Sequence, residues 1–257
     1  MSQLVDRTIS ALRSEHDVLA DLARGLTDDR LATPSGAAEW TVAQVFSHLG
    51  SGAEIGRAPI ARAAGETVEG EDNQTIWARW DASAPRAQVE GFLEHNGRWL
   101  DLVEALTPEQ RSSMTVDLGF LPEPVPLATA LGMRLSEVAN HSWDVRVAFD
   151  PEAGVDAGSA EVLLELLAGP VGFMLGFLAK PAELASPVSL ATTGPGLVID
   201  DSVAVVGVLE SPSATFSGPP EALVRLISGR LKAPYDNGVT VEGNVTLDDL
   251  RRVFPGF

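Results

Sequence analysis

Residues 126–149, PLATALGMRLSEVANHSWDVRVAF, carry two patterns from which a fold and a candidate site are inferred. Pro126 suits the first turn of a helix, because its missing N–H would be unpaired there anyway. Apolar side chains then recur at intervals of three, four and seven residues, which is the period of an amphipathic helix. They are Leu127, Leu131, Leu135, Val138 and Val145. This pattern predicts a helix from about Pro126 to Phe149.

A polar stripe lies beside that apolar line and consists of Arg134, Glu137, His141 and Asp144. Glu137 and His141 are four residues apart, so a helix places them one turn apart on one face. Polar groups this close to a core-facing surface need partners if they are buried. An isolated Glu–His pair at this spacing is most often an ordinary surface pair, and the stripe also fits a charge network without a metal.

A second helix is predicted from Thr41 to about Ala64, and it begins in the segment WTVAQVFSHL of residues 40–49. Thr41 and Gln44 form a capping box, and Trp40 before them is a possible hydrophobic staple. The apolar neighbours of His48 place its side chain on the inward face of this helix. His48 alone also fits a histidine at the edge of the core that bonds a backbone carbonyl.

An inward His48 could meet Glu137 and His141 across a helical bundle. Two imidazoles and a carboxylate are three protein ligands of a catalytic zinc ion, with a fourth position left for water or substrate. Asp144 would then accept the remaining N–H of a histidine ligand. His16 and His95 have acidic or polar neighbours, and we expect both to be solvated.

The whole chain is predicted to contain two domains, residues 1–150 and 151–257. The first has four helices, which end near Gly25, Ala64, Leu106 and Phe149, and which suggest an up-and-down bundle. Residues 65–75 and 107–125 are expected to be loops. After a linker at 150–154, the second domain is α+β, with a helix over 158–179, short strands between 188 and 242, and helices at 220–228 and 246–253. The class is thus mixed, α followed by α+β.

Composition excludes several classes of function. The 257 residues include 36 acidic and 18 basic ones, for a formal net charge of −18 at pH 7. Nucleic acids and anionic membranes bind largely through Lys and Arg, so we expect neither as a partner. There is no cysteine, which excludes disulfides, thiolate metal sites and a cysteine nucleophile. No secretory signal or membrane span is visible, and we expect a cytoplasmic monomer.

The two helical motifs resemble those of a known family. Residues 40–49 are similar to the second-helix motif of the DinB-like bundle superfamily. Residues 135–144, LSEVANHSWD, resemble the fourth-helix motif of the actinobacterial mycothiol-dependent maleylpyruvate isomerase family. Residues 226–231, 241–244 and 254–257 are similar to the small sterol-carrier-like C-terminal domain of that family. The resemblance implies a DinB-like four-helix bundle followed by a sterol-carrier-like α+β domain.

What the resemblance implies about function is a thiol-using metalloenzyme. Its metal ligands fall on His48, Glu137 and His141, with zinc as the expected ion. Mycothiol is the expected thiol cosubstrate, and its thiolate attacks a small electrophile. In an isomerase, reversible addition to a cis double bond permits rotation before elimination; in an S-transferase the adduct is the product.

The resemblance also implies two functional arginines. The catalytic arginine of the small domain corresponds to Arg230, with Arg225 as the alternative. Arg79 is a candidate for binding the cofactor. For Arg230 an interaction with the dipole at a helix C-terminus is the alternative.

A different class of function is a carrier of hydrophobic ligands, with a structural metal or none. The apolar segment Leu163 to Ala179, with Phe173, Met174 and Phe177, could line such a pocket. The same residues could equally pack the core of the small domain.

Overall fold

The computed structural model describes residues 2–256, which form two compact units, one ending at Asp150 and the other beginning at Pro151. The N-terminal unit is helical with one small sheet. Its helices are α1 (Ser2–Arg24), α2 (Asp28–Leu31), α3 (Val42–Ala63), α4 (Asn73–Asp81), α5 (Pro85–Glu104), α6 (Pro108–Ser113) and α7 (Leu127–Val147). Between α6 and α7, β1 (Thr115–Val116) pairs antiparallel with β2 (Val125–Pro126).

Four long helices of this unit surround its core. Helix α1 packs against α5 and α7, and α3 packs against the same two helices, so each has two long neighbours. The inward side chains that follow the helical period are fully buried, because removing them from water is the main favourable contribution to folding. They include Leu12, Leu19, Phe46, Leu49, Phe92, Leu100, Leu131, Leu135 and Trp143.

Helices α3 and α5 approach closely at two glycines that form a slot for Trp80 of α4. A Cβ on Gly50 would overlap the indole, and one on Gly91 would lie 2.7 Å from it. The indole N–H donates to Glu54 at 2.7 Å, so the buried aromatic ring keeps its polar group paired.

Helix α4 and the elements between α5 and α7 differ from the loops expected over 65–75 and 107–125. Helix α4 begins at Asn73, where Asp72 Oδ2 accepts a hydrogen bond from the N–H of Thr75 at 3.1 Å. It has only two buried side chains, Ile76 and Trp80, which are too few to show a helical period in the sequence. Residues 107–125 contain α6, with its own capping box, and the pair β1–β2.

The C-terminal unit combines helices with a five-stranded sheet, and the prediction of a mixed helix-and-sheet protein is confirmed. The strands are β3 (Val188–Ala191), β4 (Gly196–Ile199), β5 (Val203–Val206), β6 (Ala214–Ser217) and β7 (Thr240–Gly243). Their order is β5-β4-β3-β6-β7, and β3 and β6 are parallel while the other pairs are antiparallel. The helices are α8 (Ala157–Leu167), α9 (Leu175–Leu178), α10 (Pro220–Ile227) and α11 (Leu247–Val253).

The single helix predicted over 158–179 is wrong. Helix α8 ends at Leu167, and the following segment Gly172–Leu178, a 3₁₀ turn that continues into α9, is bent from α8 by 85°. Pro170 cannot donate a backbone hydrogen bond, so Gly169 and Pro170 interrupt the helix. The four leucines before the break, Leu163, Leu164, Leu166 and Leu167, are buried, whereas Phe177 after it is 77% exposed.

Within residues 2–256, no single helix is both long and apolar enough to cross a membrane; only the bent pair of α8 with Gly172–Leu178 reaches that length and composition.

Candidate metal centre

Helices α3 and α7 bring three potential metal ligands together. His48 lies in the second turn of α3, whose start is set by the capping box of Thr41 and Gln44. Glu137 and His141 lie one turn apart on α7. One donor atom from each residue falls within 4.8 Å of the other two. Glu137 Oε2 is 2.9 Å from His48 Nε2 and 3.7 Å from His141 Nε2.

Asp144 orients one of the two histidines. Its side chain is completely buried, and its Oδ2 is 2.8 Å from His141 Nδ1. A carboxylate accepts from an N–H, so this contact assigns the ring proton to Nδ1 and leaves the lone pair on Nε2. The free nitrogen of His141 is therefore the one that lies near Glu137.

Glu137 is held in its ionised form. Burial acts to raise its pKa, but the hydrogen bond with His48 and the interactions with His141, His48 and Arg134 outweigh it and lower the pKa to about 2. A carboxylate with this pKa is negatively charged throughout the neutral range, which is the form that binds a cation.

Arg134 connects the helix of Glu137 to the two helices beside it. Its guanidinium donates to the backbone oxygen of Leu49 on α3 and to Asn96 Oδ1 on α5, both at 2.8 Å. Burial lowers the pKa of Arg134 to about 10, while the charge of Glu137 acts in the opposite direction. Arg134 is still cationic at neutral pH, and it holds the residue that follows His48.

The expectation that His16 is solvated is wrong. His16 is 8% exposed, and its Nδ1 bonds the side-chain amide of Asn96 at 2.9 Å. Asn96 thus links His16 to Arg134 inside the helical unit. The partner is 80 residues away in sequence, so neighbouring residues could not indicate it. His95 is partly buried, 3.6 Å from Glu54.

The donor set fits a divalent ion such as zinc. Zinc–ligand bonds of about 2.0–2.2 Å in a tetrahedral arrangement separate the ligand atoms by about 3.3–3.5 Å. The separations of 2.9 and 3.7 Å from Glu137 lie on either side of that range. Two neutral imidazole nitrogens and one carboxylate are also the ligand types that zinc accepts in catalytic sites. The same set accepts other divalent first-row metals.

Trp40 lies against both histidines, a contact that the sequence did not reveal. Its ring centroid is 5.0 Å from that of His48 and 5.7 Å from that of His141. The two imidazoles are themselves 4.8 Å apart, with their planes at 65°. The position before the capping box suggested only a packing role at the start of α3.

Arg79 is not brought to these three residues. Its guanidinium pairs with Glu54 at 2.7 Å and with Glu71 at 3.0 Å. Both carboxylates line a cavity of about 950 Å³ between α3, α5 and the segment before α4, and none of the three candidate ligands lines it. The expected cofactor-binding role of Arg79 stays a prediction.

The two arginines considered in the C-terminal unit have different environments. Arg225 is fully buried; its Nε donates to Glu221 at 2.7 Å, and its Nη1 donates to the backbone oxygen of Tyr235. Arg230 lies beyond the end of α10, where its Nη1 donates to the backbone oxygen of Ser228 at 3.3 Å. Arg225 thus has the contacts of a structural residue, while Arg230 is partly exposed.

Comparison with known proteins identifies the family. Residues 12–146 match the model of the mycothiol maleylpyruvate isomerase N-terminal domain, so the chain belongs to this family, and the resemblance inferred from the two helical motifs is confirmed.

Two solved structures share the fold. They are crystal structures of the mycothiol-dependent maleylpyruvate isomerase and of a histidine-to-alanine mutant of it. Each is 21% identical to this chain with a TM-score of 0.61, and the match covers 94% of both chains. A search of curated protein sequences finds no match.

Proposed function

We propose that this protein is a metal-dependent enzyme that uses a low-molecular-weight thiol, mycothiol, in an isomerase or S-transferase reaction on a small electrophile. The observation that carries the proposal is the convergence of His48, Glu137 and His141 in a chain of this family. Mycothiol and maleylpyruvate are named for the proteins of the two related structures, and both are the first compounds to test here.

The chain's own residues would hold the ion in defined roles. His48 and His141 would each donate a ring nitrogen, and Glu137 a carboxylate oxygen. When bound, zinc would supply a positive charge that lowers the pKa of a thiol, so that the nucleophilic thiolate is available at neutral pH. Asp144 keeps the proton of His141 on Nδ1, and Arg134 keeps α3 and α7 in register beside Glu137.

A cation that binds the electrophile completes this proposal. Arg230 is its candidate by family resemblance, and the burial of Arg225 in an ion pair supports Arg230 over Arg225. Four long helices packed in pairs support a DinB-like bundle for residues 1–150. A mixed five-stranded sheet with flanking helices supports a sterol-carrier-like domain for residues 151–257. A monomer with no nucleic acid or membrane partner remains our expectation.

The first experiment measures metal content by elemental mass spectrometry on untagged protein. We compare wild type, His141→Ala and a control, His95→Ala, which removes an imidazole that is not in the candidate centre. We expect about one zinc ion per chain in wild type and in the control, and its loss in His141→Ala. Tight metal binding retained by His141→Ala would refute the ligand assignment.

The second experiment measures turnover of the metal-loaded protein with mycothiol and maleylpyruvate, and with other small electrophiles that contain a cis double bond. Turnover should require both the metal and the thiol. An isomerase regenerates the thiol, whereas an S-transferase consumes one thiol per product, so the thiol balance distinguishes the two reactions. Turnover that persists without a thiol would contradict the proposal.

A further inference from the structure

Trp40 is the aromatic residue in contact with both candidate histidine ligands. Its indole is nearly parallel to the ring of His141, at an interplanar angle of 23°, and is tilted by 45° to the ring of His48. Aromatic rings at these separations attract one another beyond the contribution from the burial of their area. The indole therefore restrains the rotation of two rings at once.

The turn that carries Trp40, residues 34–41, is fixed to the helix of His141. The N–H of Gly36 donates to the backbone oxygen of Asp144 at 2.8 Å. A Cβ on Gly36 would lie 2.7 Å from Val147 and 3.0 Å from Asp144, so this approach requires glycine. The turn is thus attached to the residue whose carboxylate orients His141.

Within the turn, hydrogen bonds hold the backbone of Trp40 in place. The backbone oxygen of Trp40 accepts from both the N–H and the hydroxyl of Ser35, each at 2.9 Å. Glu39 adopts a left-handed conformation, with φ of 67°, which reverses the chain just before Trp40. An isolated bridge between Pro34 and Thr41 closes the turn at the start of α3.

We propose that Trp40 is a positioning residue of the metal centre, which sets the planes of the His48 and His141 rings and covers one side of the site. The inference rests on the proposed function, because it assumes that these rings bind a metal ion. A histidine lone pair lies in the plane of its ring, so rotation of the ring turns the donor away from the ion.

The test uses Co²⁺ as the probe, since its visible absorption depends on the number and geometry of its ligands. We compare wild type with Trp40→Phe, Trp40→Leu and the control Trp77→Leu, which removes a tryptophan from the exposed side of α4. A planar ring should preserve the restraint, so Trp40→Phe should keep the wild-type spectrum. Trp40→Leu should change the spectrum and weaken Co²⁺ binding by about 10- to 100-fold, as for other residues that orient metal ligands.

Each outcome has one meaning. Wild-type protein that binds no Co²⁺ would overturn both the proposed function and this inference. Wild-type protein that binds Co²⁺, together with a Trp40→Leu variant of unchanged spectrum and affinity, would overturn the inference alone. If Trp40→Leu does not fold, tryptophan fluorescence is measured instead. Co²⁺ should quench the fluorescence of wild type more than that of Trp40→Phe, because Trp40→Phe lacks the indole that lies beside the candidate ligands. Equal quenching in the two proteins would overturn the inference.

Discussion

Replacement of Asp144 should weaken metal binding without removing a ligand. The buried carboxylate accepts a charge-assisted hydrogen bond from His141 at 2.8 Å. Such a bond contributes about 1.5–3 kcal/mol, against about 0.5–1.5 kcal/mol for a neutral one. Asp144→Asn keeps a neutral acceptor and should cost about 1–1.5 kcal/mol, or about fivefold to tenfold in zinc affinity. Asp144→Ala removes the acceptor and should cost about 10- to 100-fold.

The assay is zinc affinity at neutral pH, measured by competition with a chromophoric chelator. Asp81→Asn is the matched control, because Asp81 is exposed at the end of α4 and its substitution changes the charge by the same amount as Asp144→Asn. Near-ultraviolet circular dichroism confirms that each variant is folded. The reasoning is refuted if both Asp144 variants are folded and bind zinc as tightly as wild type, since His141 would then need no orienting partner.

Three further predictions concern packing, pH and the two arginines. Gly50→Ala should destabilise the fold by about 1–3 kcal/mol through overlap with the neighbouring indole. Gly97→Ala, whose Cβ would meet nothing within 4 Å, should stabilise it by about 0.5–1 kcal/mol; urea unfolding measures both. Burial lowers the pKa of His16 in the folded protein, so on acidification the unfolded chain is protonated at a higher pH than the folded protein. The free energy of unfolding should therefore decrease as the pH decreases below about 6.5. His16→Gln should make this decrease smaller, as measured by the urea midpoint at each pH. Arg225→Met should cost about 3–5 kcal/mol in the same assay, as for a broken buried ion pair, whereas Arg230→Met should cost less than about 1 kcal/mol.

The sequence predicted the long helices and the candidate ligands because both depend on local patterns. Helix α7 repeats apolar residues over six turns, and α3 begins at a capping box, so their faces follow from spacing alone. His48, Glu137 and His141 lie on these two helices, and the geometry of a bundle brings inward residues of neighbouring helices together. Family resemblance supplied the same three residues from the motifs.

The features that the sequence did not predict depend on distant contacts. The environment of His16 is set by Asn96, and the placement of Trp40 by a backbone bond between Gly36 and α7. Neither partner can be identified without the fold. The break after Leu167 was visible as Gly-Pro, but the apolar run on both sides favoured one continuous helix.

The two proposed roles, metal binding and binding of the electrophile, can be addressed by different experiments. His48, Glu137, His141 and the residues that orient them lie between residues 40 and 144, inside the N-terminal unit and the segment that matches the family model. Holding a metal therefore depends on contacts within that unit. Arg230 belongs to the other unit. On the proposed role of Arg230 in binding the electrophile, its replacement should lower turnover and leave metal content unchanged, whereas a change at His141 should remove both, so the two measurements distinguish metal binding from substrate binding.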